Sequence, residues 1–188
     1  MESILFLAIM FIGIIPGLYG VAQYNGLVSL RNHIREAWSD IDTELKRRYD
    51  LIPRLVEVAR GYASHERGVL DRVTELRNQC AANHGPIASQ ASDESELVAG
   101  LQALFARVEA YPNLKADAQF QNLHQELVNT EDRIQAARRL YNGNVRDYLN
   151  KCQSFPSSLV ASMFGFQAAS FFEVEPAVRE APKVSGLA

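Results

Sequence analysis

Four histidines, two cysteines and one basic triplet are the side chains of this sequence whose types could most readily do chemistry. A di-iron helical bundle needs a Glu three residues before an inward-facing His, and none of His33, His65, His84 and His124 has one. His65-Glu66 begins like a zinc-protease helix, but no second His stands four residues after His65, so the two-His face that grips zinc is missing. The chain carries no GxSxG, no P-loop and no GxGxxG, the patterns that expose a nucleophile or cradle a phosphate. Cys80 and Cys152 stand far apart with no CxxC, and read as half-buried thiols on helices rather than ligands. No catalytic residue, metal site or cofactor is predicted.

The basic triplet Lys46-Arg47-Arg48 has two readings. One is contact with anionic lipid headgroups. The other is a solvated helix face, because Asp42 precedes Lys46 by four residues and Glu44 precedes Arg48 by four, the spacing of helical ion pairs. A straight helix would hold the triplet about 36 Å beyond the apolar N-terminal stretch, far outside a Debye length of about 8 Å, which favours the second reading. Arg48 is singular, because it sits on an otherwise apolar seven-residue row. Glu131 and Asp132 lie beside the apolar stripe of a later segment. An ion pair between Arg48 and one of those two carboxylates would fix helix register.

The elements that must position these residues are helical. From Leu27, steps of seven give Leu27, Ile34, Ile41, Arg48, Leu55, Tyr62, Val69 and Leu76, and a companion row runs through Arg31, Trp38, Leu45, Ile52, Ala59, Glu66, Val73 and Cys80, apolar or soft except at Arg31 and Glu66. That is the apolar stripe of an amphipathic helix in a bundle. Pro53 predicts a kink or break, and Gly61 with Gly68 a second weak point. Residues 83–92 read as a loop. A further helix follows, with Ser92 or Asp93 as cap and Asp93, Glu94 and Glu96 favouring the positive end of its dipole. Its apolar face is Leu97, Leu101, Leu104, Phe105 and Val108, and Tyr111-Pro112-Asn113 ends it. In the last long segment Phe120, Leu127, Ile134, Tyr141, Tyr148 and Phe155 recur every seven residues, with Leu123, Thr130 and Ala137 as companions. Such a period implies supercoiled packing against partner helices, and Pro156 closes the segment. No run alternates at period two, so no sheet is expected. The predicted fold is all-α: an elongated antiparallel bundle of three to four long helices preceded by one transmembrane helix.

That transmembrane helix rests on residues 3–22, SILFLAIMFIGIIPGLYGVA, with no charge between Glu2 and Arg31. Twenty helical residues span about 30 Å, the thickness of a bilayer core. A membrane helix tolerates Pro16 and its neighbouring glycines, and Tyr19 and Tyr24 suit an interface. Two rivals exist: a buried core helix, whose apolar run would be shorter and one-sided, and a cleaved signal peptide, with Gly20-Val21-Ala22 as its cleavage site. The missing N-terminal Lys or Arg and the length of the apolar run argue against it. Arg31, Arg35 and the 46–48 triplet follow the span while no Lys or Arg precedes it, so the N-terminus is expected outside and the bundle in the cytoplasm. The domains read as residues 1–23, an anchor; 24–172, a helical bundle; and 173–188, a disordered tail with Pro176 and Pro182.

Residues 152–172 carry no charge and include Phe155, Phe164, Phe166, Phe171 and Phe172. Pro156 and many small or hydroxyl residues weaken a second span. A short segment folding back onto the bundle and a contact with membrane or partner both stay open.

Several motifs resemble the LemA family closely: Tyr24-Asn25-Gly26-Leu27-Val28, Glu36-Ala37-Trp38-Ser39-Asp40-Ile41-Asp42 and Lys46-Arg47-Arg48-Tyr49-Asp50-Leu51-Ile52-Pro53, then Glu109-Ala110-Tyr111-Pro112, Thr130-Glu131-Asp132-Arg133-Ile134, Tyr141-Asn142, Phe155-Pro156 and Phe164-Gly165-Phe166. They run in order over residues 24–172. Arg54 departs from the family pattern, which usually has Asn there. The resemblance implies a single-span bacterial plasma-membrane protein with a cytoplasmic helical bundle and a poorly defined molecular activity. One branch of the family is linked to magnetosome membrane formation, which implies membrane organisation.

Composition narrows the partners. A net charge of -3 and a pI near 5.8 lack the basic surplus of a general nucleic-acid binder. Two functions remain: an interaction or scaffold protein with a protein partner or copies of itself, and an enzyme with an inter-helix site acting on lipid or cell-envelope material. The first is favoured, with no small-molecule substrate. A cluster of shifted titratable groups in a concave pocket would favour the second.

Overall fold

Six helices follow one another along the chain: α1 (Glu2–Tyr62), α2 (Arg67–Ala82), α3 (Ile87–Val108), α4 (Pro112–Lys115), α5 (Ala118–Gln153) and α6 (Ser157–Met163). The structure, a computed structural model, describes residues 1–63 and 66–173, and for residues 2–10 and 12 the backbone alone. Among the described residues there is no strand, and the fold is an all-α helical bundle. Two compact units divide it. The first contains residues 1–41 and 136–171; the second contains residues 42–135 with Phe172.

The first unit gathers around Leu27, Tyr148 and Ala161, with Leu30, Ile34, Leu149, Val160 and Phe166 packed against them. Tyr148 donates its hydroxyl hydrogen bond to the Gln167 carbonyl at 2.8 Å, and Tyr141 donates to the Ser170 carbonyl at 2.9 Å. These two phenols tie down the irregular stretch after α6. That stretch folds back onto α5. Ser157 reinforces the reversal by donating to the Lys151 carbonyl at 2.6 Å.

The second unit packs α2 and α3 against the C-terminal part of α1 and the first half of α5. Leu55, Leu70, Val73, Leu97 and Leu114 are among its fully buried aliphatics. The rows stepping by seven are buried or, at Ile34 and Val69, half-buried, with two exceptions. Tyr62 is exposed and donates to Asp117 at 3.0 Å. Phe155 is 81% exposed, because α5 has already ended at Gln153 and the row no longer has a helix to ride on.

Three local expectations are corrected. Of the kink or break expected at Pro53, the break does not occur: α1 runs through it without interruption. An interior proline costs about 3 kcal/mol, but Leu51, Ile52, Leu55 and Val56 around it are buried. At about 1.5–3 kcal/mol per buried aliphatic, that packing outweighs the loss. The break falls instead after Tyr62, between Gly61 and Gly68. Residues 83–92 are not a loop, because α3 begins at Ile87 with Pro86 in the capping position. The real connection is residues 83–86, closed when Asn83 accepts the Gly85 N–H at 2.9 Å and donates to Asp93 at 2.6 Å. Finally, Glu44 does not face Arg48. It lies 3.7 Å from Arg47 and 3.9 Å from Arg133.

Among the described residues no helix is long and apolar enough to cross a membrane. The expected span, residues 1–23, rests largely on residues 2–10 and 12, whose side chains lie outside the described residues; its backbone forms the first turns of α1. The expected disordered tail likewise falls, from residue 174 on, outside the described residues.

Candidate functional site

Arg48 interrupts the apolar row of α1, yet it is 2% exposed. A guanidinium cannot shed its charge, so burying it requires partners. The second unit supplies two. Its Nη1 donates to Glu131 Oε2 on α5 at 2.8 Å, and its Nη2 donates to Glu94 Oε2 on α3. The hydroxyl of Tyr49, next along α1, donates to the other Glu94 oxygen. Glu94 is itself 3% exposed, whereas Glu131 is half-buried at the edge. Three helices therefore meet at one cation. Arg48 Nε is buried without a hydrogen-bond partner among the described residues.

Of the sequence-predicted trio, the structure brings Arg48 and Glu131 together. Asp132 is exposed on the rim of a cleft of about 210 Å³ that opens beside them. Leu101, Phe105, His124 and Leu127 also line that cleft. His124 lies edge-on to Phe105 at 4.5 Å and stacks on Phe120 at 6.4 Å, which explains it as a core aromatic. Sequence reasoning missed Glu94, reading it as a first-turn carboxylate. With α3 starting at Ile87, the buried stripe is Ala91, Glu94, Leu97, Leu101, Leu104 and Val108. Extending the apolar face one turn back from Leu97 lands on Glu94, and that is the signal that would have found it.

The electrostatics of the cluster are those of a closed network. Burial raises the Tyr49 hydroxyl well above its ordinary value, and the Cys80 field adds to this. Tyr49 therefore stays a donor. Cys80, buried on α2, is pushed up to about 11, chiefly by burial; a thiol so placed is not a nucleophile at neutral pH. Both Glu94 oxygens already accept hydrogen bonds. Among the described residues no group of three or more His, Cys, Asp or Glu side chains is placed to hold a metal ion. The arrangement can bind helices to one another, and it offers no activated nucleophile.

The LemA family model matches residues 37–185. The chain belongs to the LemA family. Arg48, Glu94 and Glu131 all fall inside the LemA match, and the apolar N-terminal stretch falls before it. The chain is 28% identical over 165 residues to Protein LemA of Metamycoplasma hominis, an alignment covering 88% of this chain and 75% of that protein. It is 23% identical to the magnetosome protein MamQ 2 of Paramagnetospirillum magneticum and 22% identical to the magnetosome protein MamQ of Magnetospirillum gryphiswaldense. Each of those alignments covers 82% of this chain and 66% of the relative.

Proposed function

We propose that this LemA-family chain is a membrane-anchored helical scaffold of the bacterial plasma membrane, with a single N-terminal span and no catalytic activity. The observation that carries the reading is the join between anchor and bundle. The charge-free residues 3–22 head a helix that continues to Tyr62. Anchor and bundle thus share one helix, with no linker between them. The following lysines and arginines put the N-terminus outside and the bundle in the cytoplasm. Residues 24–172 form the bundle, and residues 173–188 a tail. The bundle offers its helical faces to a protein partner or to further copies of itself. Relatives named as magnetosome proteins fit a role tied to membrane organisation.

Within the bundle the Arg48–Glu94–Glu131 network is structural, and it sets the register of three helices. An enzyme acting on envelope material finds less support, because the buried thiol and tyrosine have their pKa values raised away from reactivity.

Alkaline carbonate extraction of cell membranes tests the anchor; the full chain should stay in the pellet. A C-terminal alkaline phosphatase fusion should be inactive, and high phosphatase activity would reverse the orientation. Cross-linking in intact membranes followed by mass spectrometry should recover one specific partner or the chain itself. Release of a shortened, freely soluble chain would refute the anchored scaffold.

A further inference from the structure

The first unit holds a second apolar surface that the bundle does not use. On α6, Leu159 is 60% and Met163 78% exposed, and Phe155 and Phe164 beside them are also exposed. Burial of such a patch is strongly favourable, and soluble surfaces rarely leave one this concentrated. Across from it lies the side of α1 that carries Pro16, Tyr19, Gly20 and Tyr24, and the two walls enclose a cleft of about 620 Å³. Tyr24 contacts the Phe164 and Phe166 rings edge-on at 4.9 and 5.6 Å. The apolar surface does not stop there. Phe11, Ile14, Ile15, Leu18 and Val21 continue it along α1, all exposed.

We infer that α6, with Phe155 and Phe164, is seated in the bilayer interface on the bundle side of the anchor, where its exposed face meets lipid acyl chains. This rests on the anchor proposed above, and it adds a second lipid contact and a depth. The cleft meets α1 between Pro16 and Tyr24, at the bundle-side end of the apolar stretch, about 12 Å of helix at 1.5 Å per residue. That is the level at which an interfacial helix buries its apolar face, about 5–10 Å into the acyl boundary. The charges agree with this depth. Residues 152–172 carry none. The nearest cations stand just beyond: Arg31 over the Phe166 ring at 5.3 Å, and the Lys151 ammonium against Gly26. Both lie where anionic headgroups would meet them. The short α6 could not span a bilayer, since seven residues rise only about 10 Å. It can lie along one.

The test uses the unaltered full chain in phosphatidylcholine–phosphatidylglycerol vesicles containing a phospholipid with a photoactivatable diazirine on its acyl chain, with adducts mapped by mass spectrometry. Adducts are expected on Phe155, Leu159, Met163 or Phe164, stronger with the diazirine near the glycerol than at the chain end, and also on the anchor around Phe11 to Leu18. The double variant Leu159→Glu, Met163→Glu, at two exposed positions, should lose the α6 adducts and keep those of the anchor. Adducts on the anchor alone would overturn the inference and leave the anchor standing. Adducts on α6 without the anchor would support the interfacial seat and refute the span. Labelling of neither would refute both. Leu159→Cys chains that oxidise to disulfide-linked dimers while α6 takes no lipid adduct would show that a second copy covers the face, which also overturns the inference.

Discussion

The two units hold their helices together by opposite means. In the first, Tyr141 and Tyr148 reach carbonyls of the segment after α6 with neutral hydrogen bonds. In the second, Arg48 draws α3 and α5 to α1 through full charges, one pair fully buried with Glu94 and the other half-buried at the edge with Glu131. A neutral bond of this kind contributes about 1 kcal/mol net. A buried ion pair contributes little against an apolar replacement, yet losing one partner strands the other charge. The first unit should therefore degrade gradually under substitution, and the second should fail abruptly at single positions and recover when both partners change.

The largest effect is expected from Glu94→Ala. It leaves the Arg48 charge short of its most buried partner and should cost about 3–5 kcal/mol, read as a lowered urea midpoint. The double variant Arg48→Met, Glu94→Leu should return most of that loss. A double variant as unstable as the single one would refute the comparison. Tyr148→Phe should cost only about 1 kcal/mol. It should also flatten the alkaline limb. Burial, followed by the neighbouring Cys152 thiol, pushes Tyr148 up to about 12. Its folded-state pKa thus exceeds the ordinary tyrosine value near 10, so its contribution is complete below that value and is lost as pH rises toward 12. Urea titrations from pH 9 to 12 on both proteins would measure the difference.

The smallest effect sits at a half-buried cap. Asp117 accepts the Phe120 N–H at 2.8 Å at the head of α5, and this bond, then the Tyr62 hydroxyl, holds its carboxyl below the ordinary range. A depressed pKa stabilises above the unfolded value, and that stability is lost as pH falls through the folded one. Asp117→Asn keeps a competent cap, so it should be near neutral at pH 7 and should lose less stability than the parent between pH 5 and 2.

Much of this was legible in the sequence, for physical reasons that differ from residue to residue. The rows through Leu27 and Phe120 revealed the helices because burial on one face repeats with the helical turn. Arg48 stood out as the charge in an apolar row, and Glu131 as a carboxylate beside another. That they would meet, 83 residues apart, depends on how the helices pack, which no local pattern records. Glu94 was hidden by a boundary: a helix starting at Ser92 puts it in a solvated first turn, and one starting at Ile87 puts it in the core. A break at Pro53 was the wrong expectation because a local penalty was weighed without the packing around it.

Gly100 shows how the same rule of thumb can change sign within one helical protein. Replacing a helical glycine by alanine usually stabilises by about 0.5–1 kcal/mol, and at Gly61, in the last turn of α1, and Gly143, inside α5, nothing would stand within 4 Å of the added methyl. At Gly100 that methyl would come within 2.9 Å of Leu76 Cδ1, in the core shared by α2 and α3. Anyone tuning this protein for heat tolerance can harvest the first two positions and should leave the third alone: there the absent side chain is the clearance that lets two helices close on each other.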